Sequence, residues 1–201
     1  LMETPAVWLG DFERIDEWIR VVHGEATLQE HLDDPAGLLV LLPHMGNWEL
    51  FNVFFRRYGH MTALYQPPRQ GYMQKVMQEV RARHDNHMVP TTTSGLKQLY
   101  KTLGDGGTAV ILPDQVPASG QFIPFFGHPA LTDVLASRLL KKTGAKALGI
   151  TMVRNEGGFF EAHVVAPDSA IYSLDVVTAI TAVNELVQTC AEIAPKQYQW
   201  E

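Results

Sequence analysis

Residues 37–49 read Gly37-Leu-Leu-Val-Leu-Leu42 followed by Pro43-His-Met-Gly-Asn-Trp-Glu49. The apolar run has the length and composition of a buried β-strand, and Gly46 permits a sharp turn after it. A helix pattern begins directly beyond the turn. The order of strand, turn and helix therefore predicts that His44 lies at the end of a sheet strand, with Glu49 in the first turn of the helix.

His44 and Glu49 form a candidate catalytic pair, because a histidine beside a carboxylate can remove a proton from a hydroxyl. In a regular helix, residues five apart point about 140° away from each other. The pair can therefore meet only if His44 precedes the helix and Glu49 reaches back, with Asn47 as the helix N-cap. The same two side chains are also an alternative pair of metal ligands, and the spacing alone is a weak pattern.

Strand-like and helix-like patterns alternate along the chain, which predicts an α/β fold with a central, largely parallel sheet flanked by helices. The predicted strands are residues 18–22, 37–42, 61–66, 87–90, 107–112, 146–152 and 159–165. The predicted helices are residues 26–33, 47–58, 70–84, 94–103, 133–142 and 175–193. With 201 residues, of which 46% are hydrophobic and 19% charged, we expect a single domain over residues 1–201.

The single cysteine, Cys190, excludes an internal disulfide framework. It lies on the apolar stripe of the last predicted helix, which favours a buried small side chain over a nucleophile. No apolar stretch approaches the roughly 18–20 residues that a bilayer-spanning helix needs. The seven histidines other than His44 show no ligand spacing in the sequence, so no metal site is expected.

The net charge of −6 is unevenly distributed along the chain. Residues 1–49 hold two basic and ten acidic side chains, whereas residues 56–101 hold eight basic and two acidic ones, a local balance of +6. This basic segment is either a set of solvated helix faces or a surface for an anionic partner such as a phosphate or an acidic protein. General nucleic-acid binding is not expected, because the whole chain is acidic and contains no recognisable module.

A long Pro- and Gly-rich connection over residues 113–132 joins a predicted strand to a predicted helix. Irregular loops of this length are uncommon and are often functional. Its apolar side chains either fill the core or line a channel or membrane-facing lip for an apolar ligand. Those side chains are Phe122, Ile123, Phe125 and Phe126.

Acidic and basic side chains follow several of the predicted strands. Asp114 directly follows the strand at 107–112, and Arg69 follows the strand at 61–66. Because ligands gather at the carboxyl ends of parallel strands, we expect His44, Glu49, Arg69 and Asp114 to converge at one edge of the sheet.

Five stretches of the chain together carry a resemblance to a known family. They are Leu42-Pro-His-Met-Gly-Asn-Trp-Glu-Leu50, Tyr65-Gln-Pro-Pro-Arg69, Ile111-Leu-Pro-Asp-Gln-Val-Pro117, Phe122-Ile-Pro-Phe-Phe-Gly-His-Pro-Ala-Leu-Thr132 and Pro195-Lys-Gln-Tyr-Gln-Trp200. In collinear order, from about residue 20 to 200, they resemble the lipid A biosynthesis acyltransferases. These are the lauroyl and myristoyl transferases of the lysophospholipid acyltransferase superfamily.

The resemblance implies a glycerol-phosphate-acyltransferase-like fold, an acyl carrier protein thioester as donor and a lipid A precursor hydroxyl as acceptor. It implies that His44 is the general base, that Glu49 orients it, and that no cofactor is needed. It also implies substrate contacts for Gln66, Arg69, Asp114 and Gln115. The donors for the oxyanion are not identified, and backbone N–H groups near Gly46 or Gly120 are candidates.

The resemblance further implies work at the cytoplasmic face of the cell inner membrane. Since the sequence begins at Leu1 and ends at Glu201, we expect a peripheral acyltransferase domain that lacks the family's N-terminal membrane anchor and short basic C-terminal tail.

The chain departs from the family pattern at three points. Gln66 stands where the family usually carries Arg, and Arg69 is a candidate substitute for that cation. Asp133 follows Thr132 where an uncharged residue is common, and the chain is acidic rather than basic.

These departures keep three alternatives open. The first is a lipid-binding homologue with impaired catalysis, and the second is an acyltransferase for another glycolipid or a lysophospholipid. The third is a metal-dependent hydrolase that uses His44 and Glu49 as ligands.

Overall fold

The computed structural model describes residues 3–66 and 86–200. Its strands are β1 (Ile19–His23), β2 (Leu38–Leu41), β3 (Met61–Tyr65), β4 (His87–Pro90), β5 (Thr108–Ile111), β6 (Gln121–Phe125), β7 (His128–Thr132), β8 (Lys146–Arg154) and β9 (Phe160–Val165). Seven of these form one sheet in the order β1-β9-β8-β2-β5-β3-β4, and β6 pairs with β7 in a separate hairpin.

The helices surround this sheet. They are α1 (Thr4–Leu9), α2 (Phe12–Asp16), α3 (Glu25–Leu32), α4 (Phe51–Phe55), α5 (Thr93–Gly104), α6 (Leu135–Thr143) and α7 (Val176–Ile193). Short 3₁₀ helices cover Trp48–Leu50, Ser169–Tyr172 and Pro195–Gln197.

The large sheet is mostly parallel, as the alternating sequence pattern predicts. Five strands run parallel to one another, in the order β8, β2, β5, β3 and β4. β9 pairs with β8 in the antiparallel sense. β1 pairs in parallel with β9, so these two strands run opposite to the rest. The carboxyl ends of β2 and β5 consequently lie side by side, and the prediction of an α/β fold with flanking helices is confirmed.

β2 is buried on both faces because it lies in the middle of the sheet. Leu38 and Val40 pack on one side with aromatic side chains of α4, while Leu39 and Leu41 pack on the other side with leucines of α5 and α6. All four β2 side chains are at most 1% exposed. A strand covered by helices on both faces reads as a continuous apolar run, and this is why residues 37–42 show no alternation.

The connection over residues 113–132 contains a β-hairpin, so the prediction of an irregular loop is wrong for residues 121–132. Phe126 and Gly127 form its two-residue turn, with φ of 48° and 77°. Positive φ at both positions matches the type I′ turn that joins twisted antiparallel strands. Pro124 and Pro129 face each other, and prolines inside a run argue against a strand when only the sequence is considered.

One predicted helix is shorter in the structure, and another lies outside the described residues. The helix at 47–58 is shorter than predicted, since a 3₁₀ turn at Trp48–Leu50 leads into α4 at Phe51–Phe55. Asn47 does not cap it through its side chain, whose amide nitrogen is buried without a partner. The helix predicted at 70–84 lies outside the described residues.

Within residues 3–66 and 86–200, no helix is both long enough and apolar enough to span a bilayer.

Cys190 lies on the buried side of α7 and is fully inaccessible, as its position in the apolar stripe predicts. A side-chain carbon added at Gly149 of β8 would lie 2.9 Å from its sulfur atom, so the thiol packs directly on the sheet. Burial, together with the negative charge of Asp114, raises the pKa of the Cys190 thiol to about 12.

We therefore expect Cys190 to resist thiol reagents in the folded protein. At pH 8 the reaction with a disulfide reagent should be at least about a hundredfold slower than in 6 M guanidinium chloride, because the thiolate is the reactive form. Absorbance of the released thiol measures both rates, and Cys190→Ala gives the blank. Equal rates in the two conditions would contradict the buried placement.

Candidate active site

His44 and Asp114 form the central contact of the candidate site. The Asp114 carboxylate accepts two hydrogen bonds from His44, one from the backbone N–H at 2.7 Å and one from Nδ1 at 2.8 Å. Both side chains are largely buried, with exposed fractions of 11% and 4%. Because Nδ1–H faces the carboxylate, the other ring nitrogen, Nε2, is left as the proton acceptor.

The parallel register of β2 and β5 brings these two residues together. Leu41 is paired with Ile111, and His44 and Asp114 each lie three residues beyond that pair. Both chains leave the sheet at the same level and in the same direction. The predicted convergence of His44 and Asp114 at the carboxyl edge is therefore confirmed.

Glu49 does not hold the imidazole, so the predicted hydrogen-bonded pairing of His44 with Glu49 is wrong. Glu49 Oε2 accepts a hydrogen bond from Trp8 Nε1 at 3.1 Å, while Asp114 occupies the His44 Nδ1 position. The physical reason is that Asp114 approaches along a neighbouring strand and also satisfies the His44 backbone N–H. Glu49 nevertheless lines the same cavity as His44.

The turn that carries His44 is clamped between β8 and the C-terminal segment. The backbone N–H of Gly46 donates to the Gln197 carbonyl at 2.9 Å, and the Gln199 N–H donates to the His44 carbonyl at 2.9 Å. The Asn47 N–H donates to the Met152 carbonyl at 3.0 Å. Since the Gly46 N–H is already used, it is not a free oxyanion donor.

Gly46 is required at its position for two reasons. Its φ of 56° lies in the left-handed region that favours glycine. A side-chain carbon built on it would also overlap the backbone carbonyl of Met152. The turn therefore brings the backbone closer to β8 than any other residue would allow.

A cavity of about 590 Å³ opens beside His44. His44, Glu49 and Gln66 belong to its polar lining. Its apolar lining comes from the helical turn after His44, from the region of β3, β4 and β5, and from the start of α6. These side chains include Trp48, Phe51, Met61, Ala63, Leu64, Met88, Val110, Leu112, Leu135 and Ala136. The cavity thus places His44 and Glu49 beside a group of apolar side chains.

A second cavity, of about 450 Å³, lies on the other side of the Asp114 segment. Phe125 and Phe126 of the hairpin line it, together with Tyr198 and Trp200 of the C-terminal segment. Of the four apolar side chains considered in the sequence, Ile123 is buried, whereas Phe122 is 72% exposed. The hairpin therefore fills the core at one point and lines a cavity at others.

The remaining predicted site residues occupy different surroundings. Gln66 lines the 590 Å³ cavity and accepts a hydrogen bond from the Thr91 hydroxyl, and Gln115 lines both cavities. Asp133 also lines the larger cavity, and its carboxylate accepts the Leu135 N–H at 2.9 Å. Arg69 lies outside the described residues.

The described part of the basic segment engages neighbouring side chains. Arg57 pairs with Asp16 at 2.7 Å, and Lys101 pairs with Asp105 at 2.6 Å. The Arg56 guanidinium lies 4.3 Å from the centre of the Phe12 ring. Among the described residues, these contacts favour solvated helix faces over a dedicated anion-binding surface.

Sequence reasoning missed three contributors to the site. Trp8 holds Glu49, and Gln197 and Gln199 hold the backbone of the histidine turn. All three are far from position 44 in the chain and carry no chemical signature. The stretch Pro195–Trp200, one of the five that resemble the family, contains Gln197 and Gln199 and is the one sequence feature that pointed to them.

The fold belongs to a known class of enzyme structures. It is similar to the crystal structure of the 1-acyl-sn-glycerophosphate acyltransferase from Thermotoga maritima, with a TM-score of 0.51, 12% sequence identity, and coverage of 91% of this chain and 80% of that chain. At this identity the likeness shows the fold alone, which is that of a glycerophosphate acyltransferase.

Sequence comparison identifies the family. The profile described as "Bacterial lipid A biosynthesis acyltransferase" matches residues 1–200, so the chain belongs to this family. It is 25% identical over 204 residues to the lipid A biosynthesis lauroyltransferase of Escherichia coli strain K12. The match covers 100% of this chain but 66% of that relative, just under two thirds of its length.

From the clamped turn we predict that Gly46→Ala destabilises the protein by more than about 3 kcal/mol. The strain of an alanine in the left-handed region adds to the overlap of its Cβ with the Met152 carbonyl. Gly144→Ala is the matched control, since its φ of 73° is also positive but open space surrounds the site. The control should cost about 1–2 kcal/mol. Urea unfolding measures both values, and equal losses would contradict the close approach of Gly46 to β8.

Proposed function

We propose that this protein transfers a fatty acyl group from a thioester to a lipid hydroxyl, with His44 as the general base. The observation that carries the proposal is the hydrogen bond from His44 Nδ1 to Asp114, which leaves Nε2 as the basic nitrogen of a histidine that lines a cavity with both polar and apolar walls. Membership of the lipid A acyltransferase family supports the same reaction class.

The proposed chemistry is a single acyl transfer. His44 Nε2 accepts the proton of the acceptor hydroxyl while the oxygen attacks the thioester carbonyl. The resulting oxyanion collapses, the carbon–sulfur bond breaks, and the imidazolium returns its proton to the departing thiolate. General base catalysis of this kind contributes roughly 10²–10⁴-fold to the rate. No cofactor takes part.

Asp114 is proposed as the residue that positions His44. A carboxylate on Nδ1–H holds the ring in one tautomer and stabilises the imidazolium that forms during attack. Glu49 remains a proposed member of the catalytic site because it lines the same cavity, where its fixed negative charge can also favour the imidazolium. Trp8 holds that carboxylate in place.

An acyl carrier protein thioester is the proposed donor, and a lipid A precursor is the proposed acceptor. The name of the E. coli relative supports lipid A as the acceptor class and a lauroyl chain as one acyl group for that relative. The apolar side chains in the cavity beside His44 support a fatty chain as the transferred group. Gln66, Gln115 and Asp114 border the cavities and are proposed substrate contacts, together with Arg69.

We place the reaction at the cytoplasmic face of the inner membrane. Two apolar side chains of the connection over residues 113–132 are strongly exposed, Phe122 at 72% and Val116 at 68%. Val116 lines both cavities. Exposed apolar side chains on a segment that lines the cavities are suited to contact a lipid at a membrane surface.

Metal-dependent hydrolysis is less well supported than acyl transfer. Among the described residues, the donor atoms of His44, Glu49 and Asp114 do not converge within 4.8 Å of one another, as a shared metal would require. Asp114 also occupies the Nδ1 position of the histidine.

The first test is the reaction itself. The protein is offered a panel of acyl carrier protein and coenzyme A thioesters with lipid A precursors, other glycolipids and lysophospholipids, and mass spectrometry identifies acylated products. His44→Ala should reduce transfer by roughly 10²–10⁴-fold while lipid binding is retained. His60→Ala is the matched control, because His60 is exposed and lines neither cavity.

Lipid binding without product from any donor would contradict the proposal. That result would favour the alternative of a lipid-binding homologue whose catalysis is impaired because Gln66 stands in place of the family's Arg.

The second test separates the two carboxylates. Asp114→Asn should lower kcat by roughly 10²–10⁴-fold, because the amide no longer fixes the required imidazole tautomer. Its KM for the acceptor should change little.

Glu49→Gln is the companion variant. If it lowers kcat by the same factor while Asp114→Asn retains full activity, Glu49 rather than Asp114 controls the histidine in the working enzyme.

A further inference from the structure

A second cluster of histidine and carboxylate side chains lies away from the acyltransferase site. His23 ends β1, and Glu161 and His163 belong to β9. Their ligand atoms all lie within 4.8 Å of one another. His23 is exposed, and the other two are half-buried. The cluster is accessible to solvent and uses no residue of the proposed acyl-transfer machinery.

The register of the sheet assembles this cluster. His23 is paired directly with His163 across the parallel β1–β9 ladder. Glu161 lies two residues before His163, and side chains two apart on a strand point to the same face. Sequence spacing could not reveal the group, because its two histidines are 140 positions apart in the chain.

The distances fit a bound transition-metal ion. His23 Nε2 lies 2.8 Å from Glu161 Oε2, and His163 Nε2 lies 3.8 Å from the same oxygen. A tetrahedral zinc ion with bonds of about 2.1 Å separates its ligand atoms by about 3.4 Å. The observed separations fall on both sides of this value, so small side-chain rotations suffice to receive the ion.

The two imidazole rings are already arranged alike. Their centres lie 4.3 Å apart, and their planes are inclined by 18°. Two stacked rings on adjacent strands lose little further conformational freedom when they bind one ion. This preorganisation favours a ligand site over an accidental surface group.

A further residue orients the carboxylate. Asn155 Nδ2 donates to Glu161 Oε1 at 2.9 Å, and Asn155 Oδ1 accepts the Phe159 N–H at 3.1 Å. The loop between β8 and β9 therefore fixes one Glu161 oxygen and leaves the other toward the histidines. Hydrogen bonds of this kind orient the ligands of metal sites.

We propose that His23, Glu161 and His163 form a binding site for one divalent transition-metal ion, with Zn²⁺ as the ion of choice. Two imidazoles and one carboxylate are a ligand set that suits Zn²⁺ and leaves a fourth position for water. Calcium and magnesium are disfavoured, because they prefer all-oxygen ligands. The ion joins the edge strand β1 to β9, and so stabilises the edge of the sheet.

The proposal is tested by calorimetric titration of the purified, untagged protein with ZnCl₂ at pH 7.5, in a buffer that does not bind metal. One saturable site per chain is expected. His163→Gln and Glu161→Gln should weaken binding by about tenfold or more. His23→Gln is the third variant; because His23 is exposed at the end of β1, its loss leaves the fold intact.

Two matched controls distinguish this site from others. His60→Gln removes an exposed histidine elsewhere, and His44→Gln removes the proposed base, and both should bind Zn²⁺ like the wild type. Zn²⁺ should also raise the melting temperature of the wild type and not that of His23→Gln.

Absence of a saturable site in the wild type would overturn the proposal, and the cluster would then be a hydrogen-bonded His–Glu pair only. Equal Zn²⁺ affinity of wild type and all three cluster variants would overturn it as well, as would loss of binding in His44→Gln alone.

Discussion

The Asp114 carboxylate makes the contact on which the candidate site depends. It binds the backbone N–H and the Nδ1 of His44 together, and it thereby ties the chain that leaves β2 to the chain that leaves β5. Loss of this carboxylate leaves a buried N–H without its partner and releases the imidazole at the same time. One side chain thus couples the geometry of the sheet edge to the orientation and tautomer of the histidine.

The second constraint is the backbone clamp around the histidine turn. β8 and the C-terminal segment hold residues 44–47 from two sides, and Gly46 permits the close approach. The C-terminal segment also reaches the hairpin, where Trp200 lies 5.3 Å from Phe126, measured between ring centres. The segment Pro195–Trp200 is therefore part of the site's framework, and its Tyr198 and Trp200 line the second cavity.

Much of the fold could be predicted, because burial on both sheet faces leaves a plain apolar signature. All seven strands of the large sheet lie where the apolar runs predict them. The hairpin at 121–132 was missed because its prolines oppose strand assignment, and because its turn uses a left-handed Phe126 that no local rule favours. The prediction that Asn47 caps the helix was wrong, because its side chain is buried and makes no capping hydrogen bond.

The sequence by itself determined the fold class, the family and the identity of His44 as the candidate base, because these depend on short-range pattern and residue type. Tertiary structure alone decided the partner of that base. Glu49 is five residues away and Asp114 is seventy, yet parallel register brings Asp114 to the imidazole and Trp8 draws Glu49 aside. Register also brings His23 to His163, since strand pairing joins residues whose separation in the chain carries no information.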